Sequence, residues 1–167
     1  MLGSVLLSQP TAAAEHVATS GKWHLFSEFN AVSKTENFFI VTLDTTRETQ
    51  LALECRKNLK TYFFYVADKS LSVLPFNNKV IITMRLSNDE PFELLGSSVG
   101  EGRIVIEERL HGPSFSLLLV SVYEKETEIG VSVGSYQWLF SLQGFSRGAD
   151  ALGTHCGFTP DPARHRK

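Results

Sequence analysis

Cysteine is scarce in this chain, and so are methionine and tryptophan, with two of each among 167 residues. Two cysteines and five scattered histidines give no zinc-type ligand spacing, so a structural metal site is not expected. No stretch approaches the roughly 18 uninterrupted apolar residues of a helical membrane span. Basic charge is not in excess: 16 Lys and Arg stand against 18 Asp and Glu, for a net charge of −2. That removes the simplest argument for a nucleic-acid partner. The one dense basic run, Arg164-His165-Arg166-Lys167, reads as a solvated tail. No cofactor motif stands out.

What is present favours β structure. Twelve Phe, with many Val and Ile, suit half-buried pleated surfaces. Hydrophobic residues make up 43% and charged residues 20%, the balance of one globular domain. Asn37 to Asp44 is apolar on both faces, as in a strand covered on both sides. From Gln50 to Cys55 the alternation puts Leu51, Leu53 and Cys55 on one face, and Ala52 and Glu54 on the other. A polar reversal at 56–60 returns as the aromatic strand Thr61–Val66, so a hairpin is expected. Lys79–Leu86 alternates again, and Phe92–Ser97 and Arg103–Glu107 are shorter candidates, the second able to open a helical turn through Leu110. Phe115–Tyr123 reads as a strand after a turn at His111-Gly112-Pro113; a loop with some ladder follows, then a last strand at Gln137–Leu142. After Gly144 the period changes. Phe145, Ala149, Leu152 and Cys156 share one helical face. The expected fold is a mainly β, antiparallel β-sandwich with one short C-terminal helix.

The domain expectation is a leader over 1–20, a single domain over 21–158 and a disordered basic tail over 159–167. Met1–Leu7 is apolar, and Ala12-Ala13-Ala14 has the small-residue spacing of a signal-peptide cleavage site. A basic n-region and a full-length apolar stretch are missing, so the leader reads as a truncated signal or as a plain apolar segment. Cys55 and Cys156 are either a pair closing a loop of about a hundred residues, as suits an exported chain, or two buried thiols, as suits a cytoplasmic one.

Motifs of catalysis have bland readings. Gly96-Ser97-Ser98-Val99-Gly100 matches the G-x-S-x-G nucleophile elbow, which needs a strand-to-helix turn and a following acid and histidine. Glu107 and His155 come in that order, yet a Gly-Ser turn accounts for the segment better. His155 and Cys156 point about 100° apart on a helix, which argues against a shared proton or metal. Glu124, Glu126 and Glu128 read as one solvated edge, outside any catalytic pair. Of Tyr62, Phe63, Phe64 and Tyr65, one face must be core; the other can stack on a sugar or a peptide.

Taken in order, Gly21-x-Trp23, Leu51-x-Leu53-x-Cys55-x-x-Asn58, Ile81 with Arg85, Ser97-Ser98 and Phe140-x-Leu142-x-Gly144-Phe145-x-x-Gly148-Ala149-x-x-Leu152-x-x-x-Cys156-Gly157-Phe158 form a pattern. It resembles the VasI-type accessory proteins associated with bacterial type VI secretion and, more loosely, the invasion-associated locus B proteins. The resemblance spans 21–158 and departs from the pattern at Lys34–Asn37, at Phe158 and in the longer stretch from Glu124 to Tyr136. It implies an exported, mostly β protein without catalytic residues, with Cys55 and Cys156 paired, whose partner is a protein or a cell-envelope component. Two other readings stand beside it: a small envelope serine hydrolase using Ser98, and a cytoplasmic or phage-encoded structural protein.

Overall fold

The computed structural model describes residues 14–31, 33–87, 89–125 and 127–157. Among them lie ten strands: β1 (Glu15–Ser20), β2 (Trp23–Asn30), β3 (Thr35–Leu43), β4 (Gln50–Arg56), β5 (Thr61–Ala67), β6 (Lys79–Leu86), β7 (Phe92–Gly100), β8 (Arg103–Glu107), β9 (Glu128–Val133) and β10 (Tyr136–Ser141). Helices α1 (Glu108–Glu124) and α2 (Phe145–Cys156) follow β8 and β10. The strands form one antiparallel sheet in the order β1-β2-β3-β4-β5-β8-β7-β6-β9-β10. It curls back on itself in a sandwich-like way. Asp44, just past β3, bridges to Phe140 in β10, and the Lys22 N–H donates to the Gln143 carbonyl at 2.9 Å.

The alternation read from β4 and β6 holds. Leu51, Leu53, Cys55, Ile82, Met84 and Leu86 all face inward and are buried. Trp23, Leu53, Ile82, Leu119, Phe140 and Phe145 belong to one contiguous core that draws on both halves of the sheet and both helices. The period-four face of α2 is also as expected, with Phe145, Ala149, Leu152 and Cys156 buried.

Several expectations fail. Phe115–Tyr123 is not a strand but the body of α1, so the described residues hold two α-helices rather than one, besides a 3-10 turn at Lys69–Val73. Its buried positions, Phe115, Leu118, Leu119 and Val122, follow helical spacing, and the leucines between them carry no β-branch penalty. The turn at His111–Pro113 survives as a break inside α1. Gly112 (φ 40°, ψ −110°) leaves helical geometry, and Pro113 opens the second segment, where its missing N–H costs nothing. The polar segment 15–20 is strand β1, so the described sheet starts at Glu15 rather than at residue 21. Glu124 ends α1 while Glu128 starts β9, so the two do not share an extended edge. The rest of the leader and the basic tail lie outside the described residues.

Candidate binding face

Several residues of the sequence pattern, Gly21, Trp23, Cys55, Gly144 and Phe145 among them, share one structural task, seating α2. The Trp23 indole N–H donates to the Ser141 carbonyl at 3.0 Å, and its ring meets Phe145 edge-on at 4.9 Å. A Cβ on Gly21 would lie 2.4 Å from the Gln143 oxygen, and one on Gly144 would lie 2.1 Å from the Ser20 oxygen. Both glycines have positive φ, +58° and +86°. They let the β1–β2 hairpin and the start of α2 meet backbone to backbone. Cys55 on β4 and Cys156 on α2 are disulfide-bonded across a Cα separation of 6.3 Å, within the usual span of such bonds. His155 does point outward, where it stacks on Phe38 at 4.7 Å.

Ser98 is not in a turn. It sits in β7, 1% exposed, with its N–H donating to the Asn78 carbonyl at 2.9 Å and its own carbonyl accepting from Asn77 at 2.8 Å. A strand-to-helix elbow is therefore not formed there. The glycine before it has a packing reason: a Cβ on Gly96 would lie 2.6 Å from both Ile82 and Ile104. His111, the histidine nearest in sequence, has its Nε2 2.7 Å from the Leu95 carbonyl. Glu108 accepts from the Tyr62 N–H at 2.9 Å, a contact that ties α1 to β5.

The β5 aromatics divide as strand geometry requires. Tyr62 and Phe64 enter the core, and Phe63 and Tyr65 lie on the outward face, where Phe63 is buried beneath the Arg56 guanidinium and Tyr65 is half-buried. They do not stand alone there. The register aligns His16, Phe26, Phe39, Glu54, Phe63 and Glu107 in one row across β1, β2, β3, β4, β5 and β8. Phe26 stacks on Phe39 at 5.6 Å, and His16 meets Phe26 edge-on at 5.3 Å. Thr19 Oγ1 lies 3.0 Å from His16 Nε2 and 3.1 Å from His24 Nδ1, holding both rings beside this row. Among the described residues no helix or strand packs over this face. The two-sided apolarity of β3 therefore does not mark a strand covered on both sides; Phe39 and Val41 are half-buried and face outward.

At the centre of the face the sheet is hollowed. Ala52 pairs with Val41 and Tyr65, and Ala67 with Gln50 and Arg103, so two small side chains lie between larger ones. The resulting pocket, about 310 Å³, has Phe39 and Tyr65 as apolar walls and Asn37, Gln50, Glu54 and Arg56 among its polar groups. Arg56 is held in place. Its Nε donates to Glu54 at 2.9 Å, its Nη2 to the Tyr65 hydroxyl at 2.6 Å, and its guanidinium lies 4.4 Å above the Phe63 ring. Burial and the neighbouring Glu54 carboxylate push the Tyr65 hydroxyl well above the ordinary tyrosine range, so it stays protonated at any physiological pH. Sequence reasoning flagged Tyr65 but missed Phe26, Phe39 and Ala52. The available signal was the apolarity of both faces of β3.

Two further carboxylates organise the sheet closure. Burial works against the charge of Asp44, yet hydrogen bonds from Thr46 and from the Thr49 and Glu48 N–H groups hold its pKa below the ordinary 3.8. Asp68 is lowered in the same way, against burial, by Ser70, Thr49 and Trp138. The bonds of Asp44 stay within the loop between β3 and β4, whereas those of Asp68 reach Thr49 in that loop and Trp138 in β10.

No protein-family model matches the chain, and no curated protein matches it in sequence. Its fold does have a solved counterpart: a crystal structure described as invasion associated protein b from Bartonella henselae. The two share 10% identity, with a TM-score of 0.54 over 86% of this chain and 97% of that one. At that identity the likeness is one of fold, and it agrees with the looser of the two sequence resemblances.

Proposed function

We propose that this is an exported, non-enzymatic accessory protein that works at the cell envelope by binding through the outward face of β1–β5. The Cys55–Cys156 bond is the observation that carries the export half of this reading. Structural disulfides persist in oxidising compartments and are rare where thiols are kept reduced. The position of Ala12-Ala13-Ala14 adds to it, since cleavage after Ala14 would leave β1 whole. The fold shared with the Bartonella protein supports the same reading, and the sequence likeness to VasI-type proteins is the reason to include secretion-system components among the candidate partners.

The binding half rests on an outward face whose Phe26, Phe39 and Tyr65 stay half-exposed around a preformed pocket. A serine hydrolase is disfavoured because Ser98 lies inside a strand. Fractionation of cells expressing the chain from its native locus tests the reading. The expected result is recovery from the periplasm or medium in a form shorter than the translated chain. Recovery of the uncleaved chain from the cytoplasm would contradict it.

A further inference from the structure

We propose that the pocket over Ala52 and Ala67 binds a neutral saccharide, seating one or two sugar rings between Phe39 and Tyr65. This deepens the binding role proposed above and rests on the same face, but it requires no particular compartment. Three features carry it. At about 310 Å³ the pocket lies at the small end of the range for small-ligand sites, roughly 300–1,000 Å³. Its floor and walls are apolar: two alanine methyl groups, the Phe39 ring and the Tyr65 ring. Such surfaces complement the C–H face of a pyranose, which a purely polar pocket would not.

The third feature is the balance of its charged and polar groups. Glu28 and Glu54 stand against Arg56 and Arg103 around the pocket, so there is no net charge to recruit an ion. Arg56 is already paired with Glu54, and Arg103 with Glu101 at 3.1 Å. What the rim offers is a fixed mixture of donors and acceptors. Sugar hydroxyl groups, each donor and acceptor at once, match that mixture. Because Arg56, Glu54 and Tyr65 already hold one another, little ordering is needed on binding. A peptide strand has no comparable place here, since the pocket lies in the middle of a sheet face, away from the free edge at β1.

The test is a nitrogen-15 amide shift titration of the whole chain with maltotriose and with tri-N-acetylchitotriose, probes that differ in their 2-substituent. At least one should give saturable shifts centred on 50–56 and 63–67, with a Kd on the order of 1 mM or tighter. Ala52→Leu fills the pocket from its floor without touching the core and should weaken binding at least tenfold. Leu117→Ser, an exposed position on α1, should bind as the parent chain does. Three results would each overturn the proposal: no shifts with either sugar, undiminished binding by Ala52→Leu, or equal shifts from inorganic phosphate. None of them bears on where the protein resides in the cell.

Discussion

At the scale of single residues, the most informative groups are those whose surroundings leave them no alternative. Phe140 is fully buried beneath the seam where β10 meets the end of β3. Its replacement by Ala should cost about 3–5 kcal/mol, a large-to-small change in a packed core; a near-neutral result in a urea melt would mean the seam is loose. Asp44 and Asp68 make a prediction about acid. Both have folded-state pKa values below the ordinary aspartate value of 3.8, so the stability they contribute is complete above that value. It is lost as pH falls below 3.8 and through the lowered folded-state values. Melting temperatures taken from pH 6 to pH 2 should therefore fall mainly in the lower part of that range, and the double change Asp44→Asn with Asp68→Asn should flatten the fall. An equally steep fall in that variant would assign acid sensitivity to other carboxylates.

The elements differ in how openly the sequence announces them. Strands β4 and β6 were legible because strict alternation has one solution when one face is buried. Helix α2 was legible for the matching reason, its period. Helix α1 was not, because the leucines between Phe115 and Val122 satisfy a short strand and a helix alike, and the preceding Gly112-Pro113 looked like the end of an element when Pro113 is in fact the start of one. Strand β1 was hidden by exposure: only Ser20 of its six residues is even half-buried, so it has no apolar pattern to read. The candidate face was half-legible. The aromatics of β5 pointed to it, whereas the hollow at Ala52 depends on cross-strand neighbours that only the register supplies. The junction of the β1–β2 hairpin with α2 can be tested directly. Gly144→Ala adds a methyl group facing the Ser20 carbonyl at a positive φ and should cost at least about 2 kcal/mol. Gly134→Ala, also at positive φ but facing open space, should cost only the backbone strain of about 1–2 kcal/mol. Equal losses in the two melts would show that the close approach at Gly144 matters little.

For the molecule as a whole, one covalent link ties the C-terminal helix to the sheet. The sheet curls around α1 and α2, and the Cys55–Cys156 bond fixes the last helix to the fourth strand across 101 positions of sequence. Removing it with Cys55→Ala and Cys156→Ala should cost about 4–5 kcal/mol in the chain-entropy account, or a fall in melting temperature of about 10 °C for a chain of this size. Reductant should lower the melting temperature of the parent chain by a similar amount and leave the double variant unchanged. The same bond connects fold to compartment, and so it offers the most direct measurement. Cells expressing the chain from its native locus are quenched in acid, the thiols are blocked with a maleimide before any reduction, and the protein is weighed intact. The account predicts no maleimide on the chain unless it is reduced first, when two are added. A chain that takes up two maleimides without reduction would mean that the cysteines are free thiols where the protein works, and the account of an exported, disulfide-held binding protein would be contradicted.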